Sequence, residues 1–344
     1  MRSRSPGHPL RVTFVLLLPL SLLATTATAG IDPPVLDSKA DEWQASASDG
    51  YLLWSQNTVR RPRHYDAFAK PDGEPKFRLN EGGTFGWGTG VDGTTAVYQQ
   101  AKQSRSDVKM YDLVMRNRSN PPSGLNTDIW EYGPTISGDF ILFQRNNIGF
   151  VPEGREWQRV ILFNTDTRRA RVLDYESGVV PWIAPQQVNG DFAVWDRCSR
   201  GGCNVFRHEV SAKKTMRIPN PLDKWQYAGA VASDGATYFV RAGKGCGKNA
   251  DLVRWSTGGP ERGRVILSLP DGRDSYNLFL VENMDGSHTL YFSRVACRSG
   301  YADIYRLDGA DTARPVARIV SSGGFVGAPA ARWRPGPPEA RRAA

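Results

Sequence analysis

Six related phrases decide the reading of this chain: SDGYLLW at Ser48–Trp54, VDGTTAVY at Val91–Tyr98, SGDFILF at Ser137–Phe143, NGDFAVW at Asn189–Trp195, SDGATYFV at Ser233–Val240 and DGSHTLYF at Asp285–Phe292. Their glycines, Gly50, Gly93, Gly138, Gly190, Gly235 and Gly286, follow one another at steps of 43, 45, 52, 45 and 51 residues. Asp-Gly, Asn-Gly or Ser-Gly supplies the positive φ of a tight hairpin turn, and an apolar run of strand length follows each one. A period of this size marks an array of equivalent supersecondary units.

Working outward from each phrase, every unit contains four strand-like pieces. One precedes the turn, as in Tyr132–Ile136 and Ile183–Val188, and the apolar run after the turn is the second. The third alternates, as in Asn204–Val210, Asp251–Trp255 and Asp303–Leu307, and the fourth is short, as in Ala170–Tyr175, Thr215–Pro219 and Ala317–Ser321. Four antiparallel strands repeated six times, with little helical periodicity, predict an all-β chain: a six-bladed β-propeller of four-stranded antiparallel blades. A sandwich needs no six similar units.

The glycine turn with its apolar strand, followed by a strand of the type D-[IL]-[YV]-R-[LW] (Asp251–Trp255, Asp303–Leu307), resembles the TolB-like propeller, or WD40-like (PD40) β-propeller repeat. The resemblance runs over roughly Trp43–Val320 and implies six blades and an exported binding scaffold. The usual proline of the family's turn is missing, and there is no separate α/β domain of the kind TolB itself places before its propeller. TolB's own role is therefore not implied, since fold alone does not carry function.

The ends predict an exported protein. Arg2, Arg4 and Arg11 precede an apolar stretch at Val12–Ala24, and Ala27-Thr28-Ala29 offers a small-residue cleavage site, so residues 1–29 read as a signal peptide. The apolar stretch is shorter than the roughly 20 residues of a membrane-spanning helix, and no membrane span is expected after cleavage. The propeller is assigned to residues 30–331 and a disordered basic tail, rich in Pro and Arg, to 332–344. A secreted, periplasmic or otherwise extracytoplasmic location follows, and a monomer is expected.

The four cysteines all fall in one half of the chain, and export makes pairing the default. Four cysteines allow three connectivities. Cys198–Cys203, closing a small loop, and Cys246–Cys297, in matching loops of neighbouring repeats, form the favoured set. A metal site is the competing reading, weakened by the absence of C-x-x-C spacing and of a nearby histidine.

Charge separates by face. In a propeller the loops from second to third strand and the blade-to-blade connections share one face, opposite the glycine turns. The expected loops at Gln56–His64, Gln99–Met110, Gln144–Arg159, Asp196–Cys203, Arg241–Ala250 and Ser293–Tyr301 hold sixteen Lys or Arg against four acids, a net charge of +12. The mature chain as a whole carries +6, so the rest is acidic. A basic face on an acidic body attracts anions. Arg60, Arg61, Arg145, Arg197, Arg241 and Arg294 are its candidate ligand-binding cations. Trp43, Trp87, Trp130, Trp182, Trp225 and Tyr227, with Tyr132 and Tyr276, lie at or just before first strands and would ring the channel mouth as flat binding surfaces, or else pack between blades.

Catalytic chemistry finds little footing. His64, His208 and His288 fall in separate repeats, which disfavours a shared metal and removes the usual general base, and no G-x-S-x-G elbow occurs. GKGCGKN at Gly243–Asn249 has the wrong glycine spacing for a phosphate-binding loop. Asp128, Glu131, Asp223 and Asp274 lie in blade connections and could pair over the channel as acid and base on a glycosidic bond, or act only as solvated loop acids. No catalytic residue, metal or cofactor is assigned. The favoured expectation is an exported non-catalytic scaffold binding an acidic protein segment or an anionic cell-envelope glycan. The alternative is a lyase or hydrolase on anionic polysaccharides. Nucleic acid ranks last, for want of a recognised motif in an exported chain.

Overall fold

All six phrase glycines occupy the left-handed region, with φ between 51° and 81°, as hairpin turns require. At the first turn Asp49 joins Gly50 there, with φ of 45° and 77°, the pair of positive values of a type I′ turn. A computed structural model describes residues 40–58, 61–102, 105–178, 182–299, 302–312 and 316–319. The signal segment 1–29, the tail 332–344 and Arg60 lie outside the described residues, as does the side chain of Arg61.

Among the described residues, 24 strands form six four-stranded antiparallel sheets, each from four strands consecutive in sequence. The chain is thus the all-β, six-bladed propeller expected. The innermost strands are β1 (Glu42–Ser48), β5 (Phe85–Asp92), β9 (Trp130–Ser137), β13 (Trp182–Asn189), β17 (Trp225–Val231) and β21 (Arg273–Glu282). Second strands run further than the sequence suggests. The second strand of blade one ends at Thr58 and its third begins at Arg61, and in blade four the corresponding residues are Ser199 and Gly202. Many residues assigned above to basic loops are therefore strand residues, a correction that matters for the site.

Apolar faces of adjacent blades form the core. Leu142, Val160 and Leu162 of blade three pack with Ile183, Val188 and Trp195 of blade four. Between the first and last blades, Ala45, Leu52 and Trp54 pack with Ile304. Among the described residues, each blade's strands are consecutive in sequence, and side chains join the first blade to the last across this seam.

Polar links run from blade to blade. On the turn face, the last residue of an inner strand accepts a hydrogen bond from the glycine N–H of the next blade's turn: Ser48 Oγ from Gly93 (3.0 Å), Asp92 Oδ2 from Gly138 (2.6 Å) and Ser137 Oγ from Gly190 (3.1 Å). Farther round, Asn189 Nδ2 donates to Val231 O at 3.1 Å, and Ser233 N to Glu282 Oε1 at 3.0 Å. Nearer the axis, Gln187 spans three blades: its Oε1 accepts from Val231 N and Leu280 N, and its Nε2 donates to Leu280 O.

The closing seam has its own polar latch. Asp41 Oδ1 accepts from Ala302 N at 2.8 Å, Asp41 Oδ2 accepts from the Tyr65 hydroxyl at 2.6 Å, and Gln44 N donates to Ser293 Oγ at 3.1 Å. Asp41→Ala leaves both donors without their acceptor in a buried seam, an expected loss of about 2–4 kcal/mol in urea unfolding, with about 1 kcal/mol for Tyr65→Phe. An Asp41→Ala protein as stable as the parent would remove Asp41 from ring closure.

Candidate functional site

Inner strands enter from the loop face, and each slips register soon after entry. Trp43, Trp87, Tyr132, Tyr227 and Tyr276 stand immediately before the slip, and the residues after them, Gln44, Gly88, Gly133, Ala228 and Asn277, all have φ between 54° and 59°. Blade four departs from the pattern: Ala184-Pro185 stands there, and proline's ring excludes positive φ. The slip brings backbone together at the axis. A Cβ on Gly88 would come within 2.9 Å of Gly133 Cα. The cavity between the slips, lined by Gln44, Gly88, Gly133, Pro185 and Asn277 among others, measures about 30 Å³. That is the space of a water, against several hundred Å³ for an ordinary small-molecule site.

The predicted aromatic ring divides in two. Trp43 lies 6.4 Å from Trp87 and 6.3 Å from Tyr276, which stacks on Tyr227 at 5.4 Å, while Tyr65 meets Trp87 at 4.4 Å. These rings form a packed arc across blades two, one, six and five, and Trp43 and Tyr227 are buried within it. Trp130, Trp182 and Trp225 open their strands two residues earlier and are half-buried. Trp130 packs on Tyr132 and Phe150. Trp225 lies over Gly202, where a Cβ would stand 3.0 Å from the indole, and Trp182 pairs in register with Cys198.

The basic face also divides. Arg105 and Lys109 both reach Asp107, Arg145 donates to Glu131 at 3.0 Å, and Arg197 pairs with Asp174 and Glu176. Arg159 stacks on Trp157 with its guanidinium carbon 4.2 Å from the ring centroid, and Arg294 lies over Tyr305 at 5.0 Å. Arg241 is buried, donating to Arg262 O at 2.6 Å. Lys102, Arg155, Arg200, Lys244, Lys248 and Arg298 are exposed, and among the described residues none has an acidic partner within salt-bridge distance.

Four of those six stand on loops fastened by disulfides. Cys198–Cys203 closes the tip bearing Arg200, and Cys246–Cys297 joins the blade-five loop of Lys244 and Lys248 to the blade-six loop of Arg298. Both favoured pairings are present. The GKGCGKN segment packs its backbone on blade six, where a Cβ on Gly247 would fall 2.7 Å from Arg273 N.

The connection carboxylates do not converge. Asp128 and Asp223 are exposed, while Glu131 accepts from Thr127 N, Thr127 Oγ1 and Arg145 Nε. Asp274 accepts from the Tyr227 hydroxyl at 2.5 Å, the Tyr276 hydroxyl at 3.1 Å and Gly247 N at 3.2 Å. Its charge, after burial, helps push both tyrosine hydroxyls well above their ordinary range. Asp196, counted in sequence only as a loop acid, holds blade five instead: its carboxylate accepts from Ala228 N at 2.7 Å, Gly229 N at 3.3 Å and Gln186 Nε2 at 2.8 Å. The sequence offered no sign of that role. Asp41 could have been found, since Asp41-Glu-Trp43 and Asp274-Ser-Tyr276 share one pattern in one register. His64, His208 and His288 lie in blades one, four and six, paired with Asp66, Thr215 and Tyr238.

No family model matches the chain, and no curated protein matches its sequence. Similar solved structures are propellers. Acylaminoacyl peptidase of Pyrococcus horikoshii is 10% identical over 85% of this chain and 49% of its own, with a TM-score of 0.52. The β-propeller domain of the Trilobed protease from Pyrococcus furiosus, of open velcro topology, is 8% identical over 82% of this chain and 96% of that domain, with a TM-score of 0.50. TolB of Acinetobacter baumannii is 12% identical over 82% of this chain and 66% of its own, at 0.46, too distant to say more. This chain thus spans about half of the peptidase and just under two thirds of TolB, and the likeness is one of fold.

Burial pushes Glu131 and Asp196 up to about 7 against the donors that each accepts. Between pH of roughly 4.5 and 7 the folded chain therefore holds protons that the unfolded chain has released, and this stability is lost as pH rises through 7. Asp196→Asn, which keeps an acceptor oxygen but does not titrate, is expected to flatten that fall in urea midpoints measured from pH 5 to 8. Equal slopes in parent and variant would mean that Asp196 is ionised throughout.

Proposed function

We propose that this chain is an exported, TolB-like propeller that acts as a binding module, engaging an acidic protein segment or anionic envelope glycan on the loop face of blades four to six. One observation carries the reading. Arg200, Lys244, Lys248 and Arg298 stand exposed and unpaired by acids among the described residues, on loops fastened by two disulfides, beside the half-buried Trp182 and Trp225. Fastened loops hold cations in place before a ligand arrives, which lowers the ordering cost of binding. The tryptophans offer flat apolar area near them. Two exposed acids of the adjoining connections, Asp223 and Asp271, leave these loop tips cationic.

The cavity of about 30 Å³ between the register slips favours an external ligand over one engulfed there. The disulfides fit an oxidising compartment, as the signal-like start does. The lyase or hydrolase alternative draws no support from Glu131 or Asp274, whose carboxylates are committed to Arg145 and Thr127 and to Tyr227, Tyr276 and Gly247. The predicted site contracts accordingly. Trp43, Tyr227, Arg145, Arg197 and Arg241 serve the framework in this reading, and Trp182, Trp225 and the four open cations face the ligand.

Titration with poly-L-glutamate and with polygalacturonate tests the proposal. Affinity for at least one polymer is expected to fall as salt rises and shortens the reach of exposed charges. The triple variant Lys244→Ala, Lys248→Ala, Arg298→Ala is expected to lose about tenfold, equivalent to about 1.4 kcal/mol. Salt-independent binding, or equal binding by the folded triple variant, would sink the reading.

A further inference from the structure

A different surface, on the outer rim, departs from the rest of the fold. Outer strands of propellers are open edges, and short length is one of the protections against stray pairing. Four outer strands here are short: β4 (Phe77–Arg78), β8 (Asn117–Ser119), β16 (Lys214–Arg217) and β20 (Arg264–Ser268) have two to five residues each, and of the sixth blade's outer strand, β24, Val316–Ile319 are described. The outer strand of blade three, β12 (Arg169–Ser177), has nine, paired along its inner side with β11 (Trp157–Asn164) and terminal in its sheet.

The two halves of β12 differ. Beyond a bulge at Leu173, Asp174 and Glu176 are held by Arg197 of blade four, and Trp195 Nε1 donates to Asp174 at 2.8 Å. Before the bulge, Arg169 to Val172 are all exposed, and among the described residues Arg168, Arg169 and Arg171 have no acidic partner within salt-bridge distance. Arg171 turns toward blade four, where its charge adds to burial in pulling His208 down to about 4. Alternation sets Arg169 on the same side and Val172 on the other. Val172 and Tyr175 are 49% and 48% exposed, among the most exposed large apolar side chains described.

We propose that β12 is a strand-addition site for an extended acidic segment of a partner polypeptide, which pairs its backbone with the open edge of Arg169–Val172, sets carboxylates against Arg168, Arg169 and Arg171, and lays apolar side chains beside Val172 and Tyr175. In strand addition the main chain supplies affinity, and alternate side chains supply choice. The charges decide against a second copy of this chain. Antiparallel self-pairing of Arg169–Val172 would bring two sets of these arginines together with no acid of the segment between them. This site shares no residue with the loop face proposed above and does not depend on it.

The test uses a capped heptapeptide of alternating valine and glutamate, the same peptide with proline at its centre, and a valine–lysine counterpart. The parent protein is expected to bind the first at least tenfold more tightly than the other two. Arg169→Glu with Arg171→Glu, both exposed, is expected to lose the glutamate peptide by at least tenfold and to gain the lysine peptide. The triple loop variant is expected to bind as the parent does, so this site and the loop-face reading can fail separately. Equal binding of the proline peptide would reduce the effect to charge attraction and overturn the proposal, as would unchanged binding by the folded double variant. A concentration-dependent dimer lost on the double substitution would replace it with self-pairing.

Discussion

Among the described residues, six inner strands each carry an edge that no strand pairs, and a cavity of about 30 Å³ lies between their register slips. Backbone N–H and C=O groups buried there need partners, because an orphaned buried group costs about as much as a lost hydrogen bond. Side chains from neighbouring blades meet that need. Gln187 serves Val231 and Leu280, Asp196 serves Ala228 and Gly229, Thr135 Oγ1 takes Val188 N at 3.2 Å, and Thr89 Oγ1 donates to Gln44 O at 2.7 Å. Through these side chains the blades hold together, though among the described residues no sheet mixes strands from the two ends of the chain.

This constraint shapes the site. Register slips after Trp43, Trp87, Tyr132, Tyr227 and Tyr276 turn inner strands toward the axis, and three of the residues that follow, Gln44, Ala228 and Asn277, hold left-handed backbone without being glycine. Strain of this kind persists only where surrounding contacts over-determine it. Packed rings and buried carboxylates supply those contacts, which leaves them unfit for ligand work. What the framework does not consume is where the two proposals place binding: cations on disulfide-fastened loops with two half-buried tryptophans, and the nine-residue outer strand of blade three.

Much of the fold was legible because hairpin chemistry is local. Asp49-Gly50 or Asn189-Gly190 announces its turn whatever surrounds it, and the third strand Asp251–Trp255 coincides with its predicted bounds. The site was less legible, because a charge in sequence does not reveal its partner. Arg145 and Lys244 look alike in a count of loop cations, yet one is tied to Glu131 and the other is open. At the entry to inner strands the pattern Asp-x-aromatic occurs at Asp41, Asp128, Asp223 and Asp274. Two of the four lie two residues earlier relative to the register slip and are exposed, and the other two are buried acceptors.

By itself, then, the amino-acid sequence determined the turns, the six-fold repeat, the strand alternation and both favoured disulfides, because each depends on residues near in the chain or on their equivalence between repeats. Tertiary structure decided which aromatics pack and which remain partly open, which cations are neutralised, and that Asp196 and Asp41 tie blades together. It also decided that the rim of blade three carries a long open edge. These outcomes depend on how far each inner strand slips and which neighbour it meets, distances set across blades by groups more than 40 residues apart, as with Gln187 and Leu280.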